Sequence, residues 1–192
     1  MHKPIFKKIY KRLQNELPPY LFYHDAEHTR LVVNQARFIA EKEGLPEGNI
    51  ELIEIACLYH DTGFLIKAED HEEKSCELAM QELPQYDFTK AEIENICGMI
   101  RATKIPQKPN NMNEKVVADA DLFYLGTSNY DFFSKKLYRE LKMLKPNITD
   151  EEWLEIQVSF LKSHHFHTPF GIKVLEPVKQ QNLQALLQSD NP

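Results

Sequence analysis

Glycine is scarce: there are only six in 192 residues, at 44, 48, 63, 98, 126 and 171. No stretch alternates apolar and polar residues for long, so a half-buried sheet is not expected and the fold reads as all-α. The missing glycines also exclude a phosphate-cradling Gly-rich loop, and with it nucleoside triphosphate use through a P-loop. No apolar run approaches the roughly 18 residues that span a bilayer, and the start MHKPIFKKIYKRL lacks the hydrophobic stretch of a signal peptide. Cysteine is limited to Cys57, Cys76 and Cys97. They are too far apart for a Cys-x-x-Cys motif and odd in number, so they read as small core residues of a reduced, cytoplasmic compartment. Positive charge is also short: 23 Lys and Arg against 29 Asp and Glu leave a net charge of -6. That balance argues against general nucleic-acid binding, which rests on clustered basic residues, but does not exclude a small phosphorylated substrate.

What remains describes a globular chain, 42% hydrophobic and 27% charged, of a length that buries a substantial core in one domain. Ile5, Phe6, Ile9, Tyr10 and Leu13 form an apolar face opposite Lys3, Lys7, Lys8, Lys11 and Arg12. This amphipathic helix, within residues 1–22, is expected to pack on its own domain rather than on a membrane. Leu17-Pro18-Pro19 ends it, and Gly44-Leu45-Pro46-Glu47-Gly48 separates a helix near 26–43 from one near 49–61. A Pro/Asn loop covers 105–113, and Thr149-Asp150-Glu151-Glu152 has the capping-box pattern that starts a helix. The expected layout is a helical core over 23–135 with a C-terminal helical extension of the same domain over 136–192.

The chemistry centres on His60 and Asp61 in ACLYHDTGF. Ile50, Ile53, Cys57 and His60 keep helical spacing, which turns the pair toward a core, and a buried Asp needs a partner or a metal. His28 ends another apolar stripe, with Leu31, Val32, Ala36 and Ile39. A third helix, near 115–125, carries Asp119 and Asp121 in VVADADLFYLG. Residues two apart on a helix point about 200° apart, so only one of these can face a common site, and periodicity does not choose between them. Two imidazoles and two carboxylates make a mixed nitrogen and oxygen site suited to Mn, Fe, Co, Zn or, less well, Mg. Such a set leaves positions open for water and a substrate oxygen, which points to catalysis rather than a structural metal.

In this order, His28, then the adjacent His60-Asp61, then the distal Asp121 resembles the H…HD…D signature of the HD superfamily of metal-dependent phosphohydrolases, over roughly residues 20–126. The resemblance implies an all-helical bundle and a divalent metal ion on His28, His60, Asp61 and Asp121. Ala120-Asp121-Leu122 is similar to the family's Ala-Asp-Arg/Leu segment, and this selects Asp121 over Asp119. Tyr23-His24 before His28 resembles the opening of cyclic-nucleotide phosphodiesterases, with Asp25 where those proteins have Asn. His71-Glu72-x-x-Ser75 looks like the family's third-histidine region. The chain departs from the family at Ile96-Cys97-Gly98-Met99-Ile100, where some members have His-His, so one metal ion is expected rather than two. Phe64 replaces the Lys of cyclic-di-nucleotide enzymes, and the Glu-Asp pair of guanosine tetraphosphate hydrolases is absent, which disfavours both substrates.

The expected activity is hydrolysis of a nucleotide or other small phosphate ester, with Asp61 helping to hold the nucleophile. His24, one turn from His28, either caps that helix or, as the resemblance implies, protonates the leaving oxygen; His71 is the other candidate acid. Lys104, ahead of Arg101, is the candidate to neutralise substrate phosphate. His164, His165 and His167 lack a carboxylate or thiolate at ligand spacing and are not expected to form a second metal site. The alternative is a regulatory HD module that binds metal and nucleotide without turnover. A homodimer stays open.

Overall fold

The computed structural model describes residues 3–189, and residues 1, 2 and 190–192 of the expected terminal segments lie outside it. Among the described residues it is all helical: α1 (Lys3–Glu16), α2 (Ala26–Lys42), α3 (Glu47–Tyr59), α4 (His71–Glu82), α5 (Lys90–Arg101), α6 (Met112–Asp121), α7 (Tyr130–Leu144), α8 (Asp150–Ser163) and α9 (Glu176–Ser189). Local chemistry accounts for the starts. Asp25 caps α2 by accepting from His28 N, Asn111 caps α6 through Glu114 N, and full capping boxes join Thr89 to Glu92 and Thr149 to Glu152. Gly44, at φ +70, ends α2 in the left-handed conformation that suits glycine.

Two boundaries differ from the sequence expectation, and both differences matter for the site. The helix expected near 49–61 ends at Tyr59, and a 3-10 turn at Thr62–Leu65 follows Asp61. The helix expected near 115–125 ends at Asp121 and gives way to a 3-10 turn at Phe123–Gly126. At Gly126 a Cβ would lie 2.6 Å from Leu175, so this turn lies directly against the C-terminal segment. Close packing there overrides the helical pattern in the sequence.

The main core joins α1 to α6. The central helix α3 buries Ile53, Ile55, Ala56, Cys57, Leu58 and Tyr59 completely, packing against α2, α5 and α6. The three cysteines are buried and unpaired within this core. A second, smaller cluster gathers Leu122, Leu125, Tyr130, Leu161, Phe166 and Leu175, and Phe123 and Phe170 pack against both clusters. No helix of the described residues is long and apolar enough to cross a membrane.

In α1, Ile5 and Ile9 are fully buried and Leu13 nearly so, all within the main core. The amphipathic face is thus spent on the domain itself. Ile9→Ala is expected to cost about 2–5 kcal/mol in a urea unfolding titration, as a cavity in a packed core does. A loss under about 0.5 kcal/mol would instead mark α1 as an appendage.

Candidate metal centre

Three helix ends bring the polar groups together. His28 lies in the first turn of α2, His60 and Asp61 follow the end of α3, and Asp121 is the last residue of α6. His28 Nε2 lies 3.3 Å from His60 Nε2 and 3.2 Å from Asp121 Oδ1. Asp61 Oδ2 reaches the same nitrogens from its own side, 3.5 Å from His28 and 3.2 Å from His60. Ligand atoms about 2.1 Å from an ion stand about 3.0–3.4 Å apart, so these spacings fit the edges of a coordination shell. His60 Nδ1 is 2.7 Å from the Cys57 carbonyl. It can only donate there, which leaves the Nε2 lone pair facing the cluster. Asp61 Oδ2 is buried with no hydrogen-bond partner in the protein, an orphan that an ion would satisfy. His28, His60 and Asp121 are positioned to hold a metal ion.

The loop carrying Asp61 is clamped by α4. Ser75 Oγ donates to the His60 carbonyl (2.7 Å) and accepts from Gly63 N (2.8 Å). At Gly63 a Cβ would overlap the His71 carbonyl oxygen, at 1.9 Å, so only glycine allows this approach. Burial opposes the charge on Asp61 and Asp121, yet the neighbouring histidines hold both carboxyls well below the usual carboxylate range. His60 is the converse: burial lowers its pKa, but Asp61 and Asp121 raise it well above the ordinary value. Protons and a cation compete for the same lone pairs.

His24 and His71 stand beside this cluster. His71 Nε2 is 3.5 Å from Asp61 Oδ1, and the Phe64 ring stacks against both His71 (4.2 Å) and His24 (4.6 Å), whose rings are themselves 6.4 Å apart. His24 does not cap α2, a role Asp25 takes; its Nδ1 meets Glu140 Oε1 at 2.5 Å, while Glu140 Oε2 accepts from the backbone of Tyr23 and His24. Burial pulls the His24 pKa down, but Glu140, Asp61 and Asp121 together raise it above its ordinary value. Sequence reasoning missed Glu140, although a signal existed, since it continues the apolar series Phe133, Leu137 of α7 at helical spacing. Lys104 stands apart. Its exposed Nζ pairs with Asp70 (2.8 Å), and neighbouring Arg101 pairs with Glu73.

Asp119 is fully buried and faces away from the cluster. It accepts from His167 N (2.8 Å), Thr168 N (2.9 Å) and Thr168 Oγ1 (2.7 Å), tying the C-terminal segment to α6. Burial pushes its pKa up to about 6, against the pull of those bonds. A cavity of about 240 Å³ opens on Asp61, Asp121, His24 and His71 and extends to Tyr130 and Trp153 of the C-terminal half. A larger depression of about 870 Å³ over residues 145–163 contains no histidine or aspartate.

An all-α bundle with histidines and aspartates converging at helix ends defines a metal-binding helical domain. The chain belongs to the HD domain family, whose model matches residues 25–124. Two solved structures share the fold at 20% identity. A predicted HD superfamily hydrolase from an uncultured Thermotogales bacterium aligns with TM-score 0.65, covering 98% of this chain and 90% of that one. Bacillus subtilis YpgQ, solved in complex with ADP, aligns with TM-score 0.67, covering 98% and 94%. No curated protein matches the chain.

The two aspartates of α6 should separate cleanly by substitution. Asp119→Asn retains one carbonyl oxygen for backbone donors now shared between two, and is expected to lower stability by about 1–3 kcal/mol with metal content unchanged. Asp121→Asn should do the reverse, lowering bound metal by at least about tenfold in elemental analysis while the fold persists. Loss of metal in Asp119→Asn as large as in Asp121→Asn would contradict this assignment.

Proposed function

We propose that the protein is a divalent-metal-dependent phosphohydrolase acting on a nucleotide or other small phosphate ester, with His28, His60, Asp61 and Asp121 as its metal ligands. The observation that carries this reading is the cavity opening directly onto Asp61 and Asp121, with two further histidines on its wall. A bound divalent ion would supply Lewis acidity toward a phosphoryl oxygen and a water ionised near neutral pH. Asp61 has an oxygen on each side, Oδ2 toward His28 and His60 and Oδ1 toward His71, which suits it to hold the attacking water against the phosphorus. His24, its Nδ1 tied to Glu140, keeps Nε2 to give a proton to the departing oxygen. His71 borders the same space and contacts the phosphate; Lys104, on Asp70, offers long-range charge only. Beyond the polar mouth, Tyr124, Tyr130 and Trp153 line the cavity, a surface suited to the weakly polar part of a nucleotide that adjoins its phosphate. The ADP held by YpgQ is in keeping with such a ligand.

Purified protein loaded in turn with Mn, Fe, Co, Zn or Mg, and offered a phosphomonoester, a phosphodiester and a nucleotide panel, is expected to turn over at least one. His60→Ala and Asp61→Ala should abolish it; turnover surviving both would sink the site, and none with any metal would favour a binding module. Glu140→Gln adds a signed test. Because Glu140 helps raise the His24 pKa, that acid loses its proton as pH rises through the raised value, so activity falls on the alkaline side. Removing the carboxylate charge lowers the pKa, and the alkaline limb should move to lower pH. An unmoved limb would exclude His24 as the acid.

A further inference from the structure

Next to the metal-side cavity lies a second one of about 140 Å³, between residues 105–107 and 163–167. Ile105 and Phe160 line both. Its remaining wall includes Gln107, His164 and His167, and three buried polar atoms of these residues have no hydrogen-bond partner in the protein: Gln107 Oε1, His164 Nε2 and His167 Nε2. His164 itself is 8% exposed. Leaving one such atom unpaired costs about 1–3 kcal/mol, so three around one small space call for a ligand.

The outward bonds of these side chains set what that ligand must offer. Gln107 Nε2 donates to the Ala118 carbonyl (2.9 Å), leaving Oε1 as an acceptor. His164 Nδ1 lies 3.5 Å from the buried Lys179 Nζ. An ammonium only donates, so Nδ1 accepts and the imidazole proton sits on Nε2. A protonated Nε2 cannot ligate a metal. Nor does the cavity offer a cation to an oxyanion: burial first, and Lys179 second, push the His164 pKa down to about 3, and Lys179 is already paired with Glu176 at 2.8 Å. The space is too small for a whole nucleotide but admits one planar ring system.

We propose that this cavity is a binding site for a neutral planar group with a hydrogen-bond acceptor beside a donor, the edge of a nucleobase, the acceptor meeting His164 Nε2–H and the donor meeting Gln107 Oε1. The proposal rests on the phosphohydrolase reading only in assigning base and phosphate to one nucleotide, through the shared wall at Ile105 and Phe160. Nucleosides test it without a phosphate or a metal. Adenosine and purine riboside, which has the same ring but no exocyclic amine, are titrated by calorimetry into the full chain without added metal. Adenosine is expected to bind about tenfold more tightly, the worth of one hydrogen bond in a dry site. Gln107→Met should erase that difference, and His167→Leu should weaken adenosine. Both replace half-buried side chains, whereas His164→Phe risks the fold. Equal affinity for the two nucleosides, no binding of adenosine at millimolar concentration, or a difference surviving in Gln107→Met would overturn the site and leave a water-filled cavity. Failure of the phosphohydrolase reading would appear separately, as absent turnover with nucleoside binding intact.

Discussion

Two carboxylates placed where helices already end in negative charge are the constraint on which the structure depends. Asp121 is the last residue of α6 and Asp61 follows the end of α3, so each lies at the negative pole of a helix dipole as well as out of water. Neither position is favourable alone. His28 and His60 answer the charge only by taking up protons or by sharing a cation with the carboxylates. The surrounding packing makes this arrangement unavoidable: α3 is buried on nearly all sides, Ser75 clamps the backbone at His60 and Gly63, and Cys57 fixes the His60 tautomer. A domain that spends so much packing on holding like charges together is built around a cation.

The two aspartates of α6 divide the work of the helix between its faces. Asp121 faces the histidines, while Asp119, about 200° round, grips the backbone at His167 and Thr168. The grip reaches further, since Gly171 packs so closely that a Cβ there would lie 2.4 Å from Asp119 Oδ2. One short helix therefore ties the C-terminal segment to the same turn that presents a metal ligand. Displacing that segment would be felt at the centre through a backbone path two residues long.

Much of this was legible in the sequence because it is periodic or motif-bound. The all-α fold, the capping box at Thr149 and the inward faces of His28 and His60 follow from spacing, whereas only the family resemblance selects Asp121 over Asp119. What was not legible depended on contacts between distant segments. The ends of α3 and α6 fall earlier than their apolar patterns suggest, because Gly63 and Gly126 are pressed against His71 and Leu175. Phe64, which in the sequence only marks a departure from cyclic-di-nucleotide enzymes, stacks against both His24 and His71. Lys104, a helix-end lysine that the sequence offers as the candidate to neutralise phosphate, pairs with Asp70 at the surface, a contact between distant segments that no local pattern reveals. Gln107 carried no signal at all, because its amide matters only once Ala118 has taken one end of it.

The family match ends at residue 124, and the polar cluster lies almost wholly before it. The wall of the cavity does not. Glu140, which sets the His24 proton, comes from α7, and Trp153, Gln157 and Phe160 come from α8. Gln157 Oε1 already accepts from Tyr130 and Ser134, so these two helices lock each other while lining the space. On the proposed reading, then, the shared core supplies the metal ligands, α7 sets the acid through Glu140, and α8 shapes the space for the substrate. A chain of this build can change what it binds by altering the α8 side chains that line the space, whereas α7 is tied to the buried charges by Glu140 on His24 and by Lys136 on Asp25.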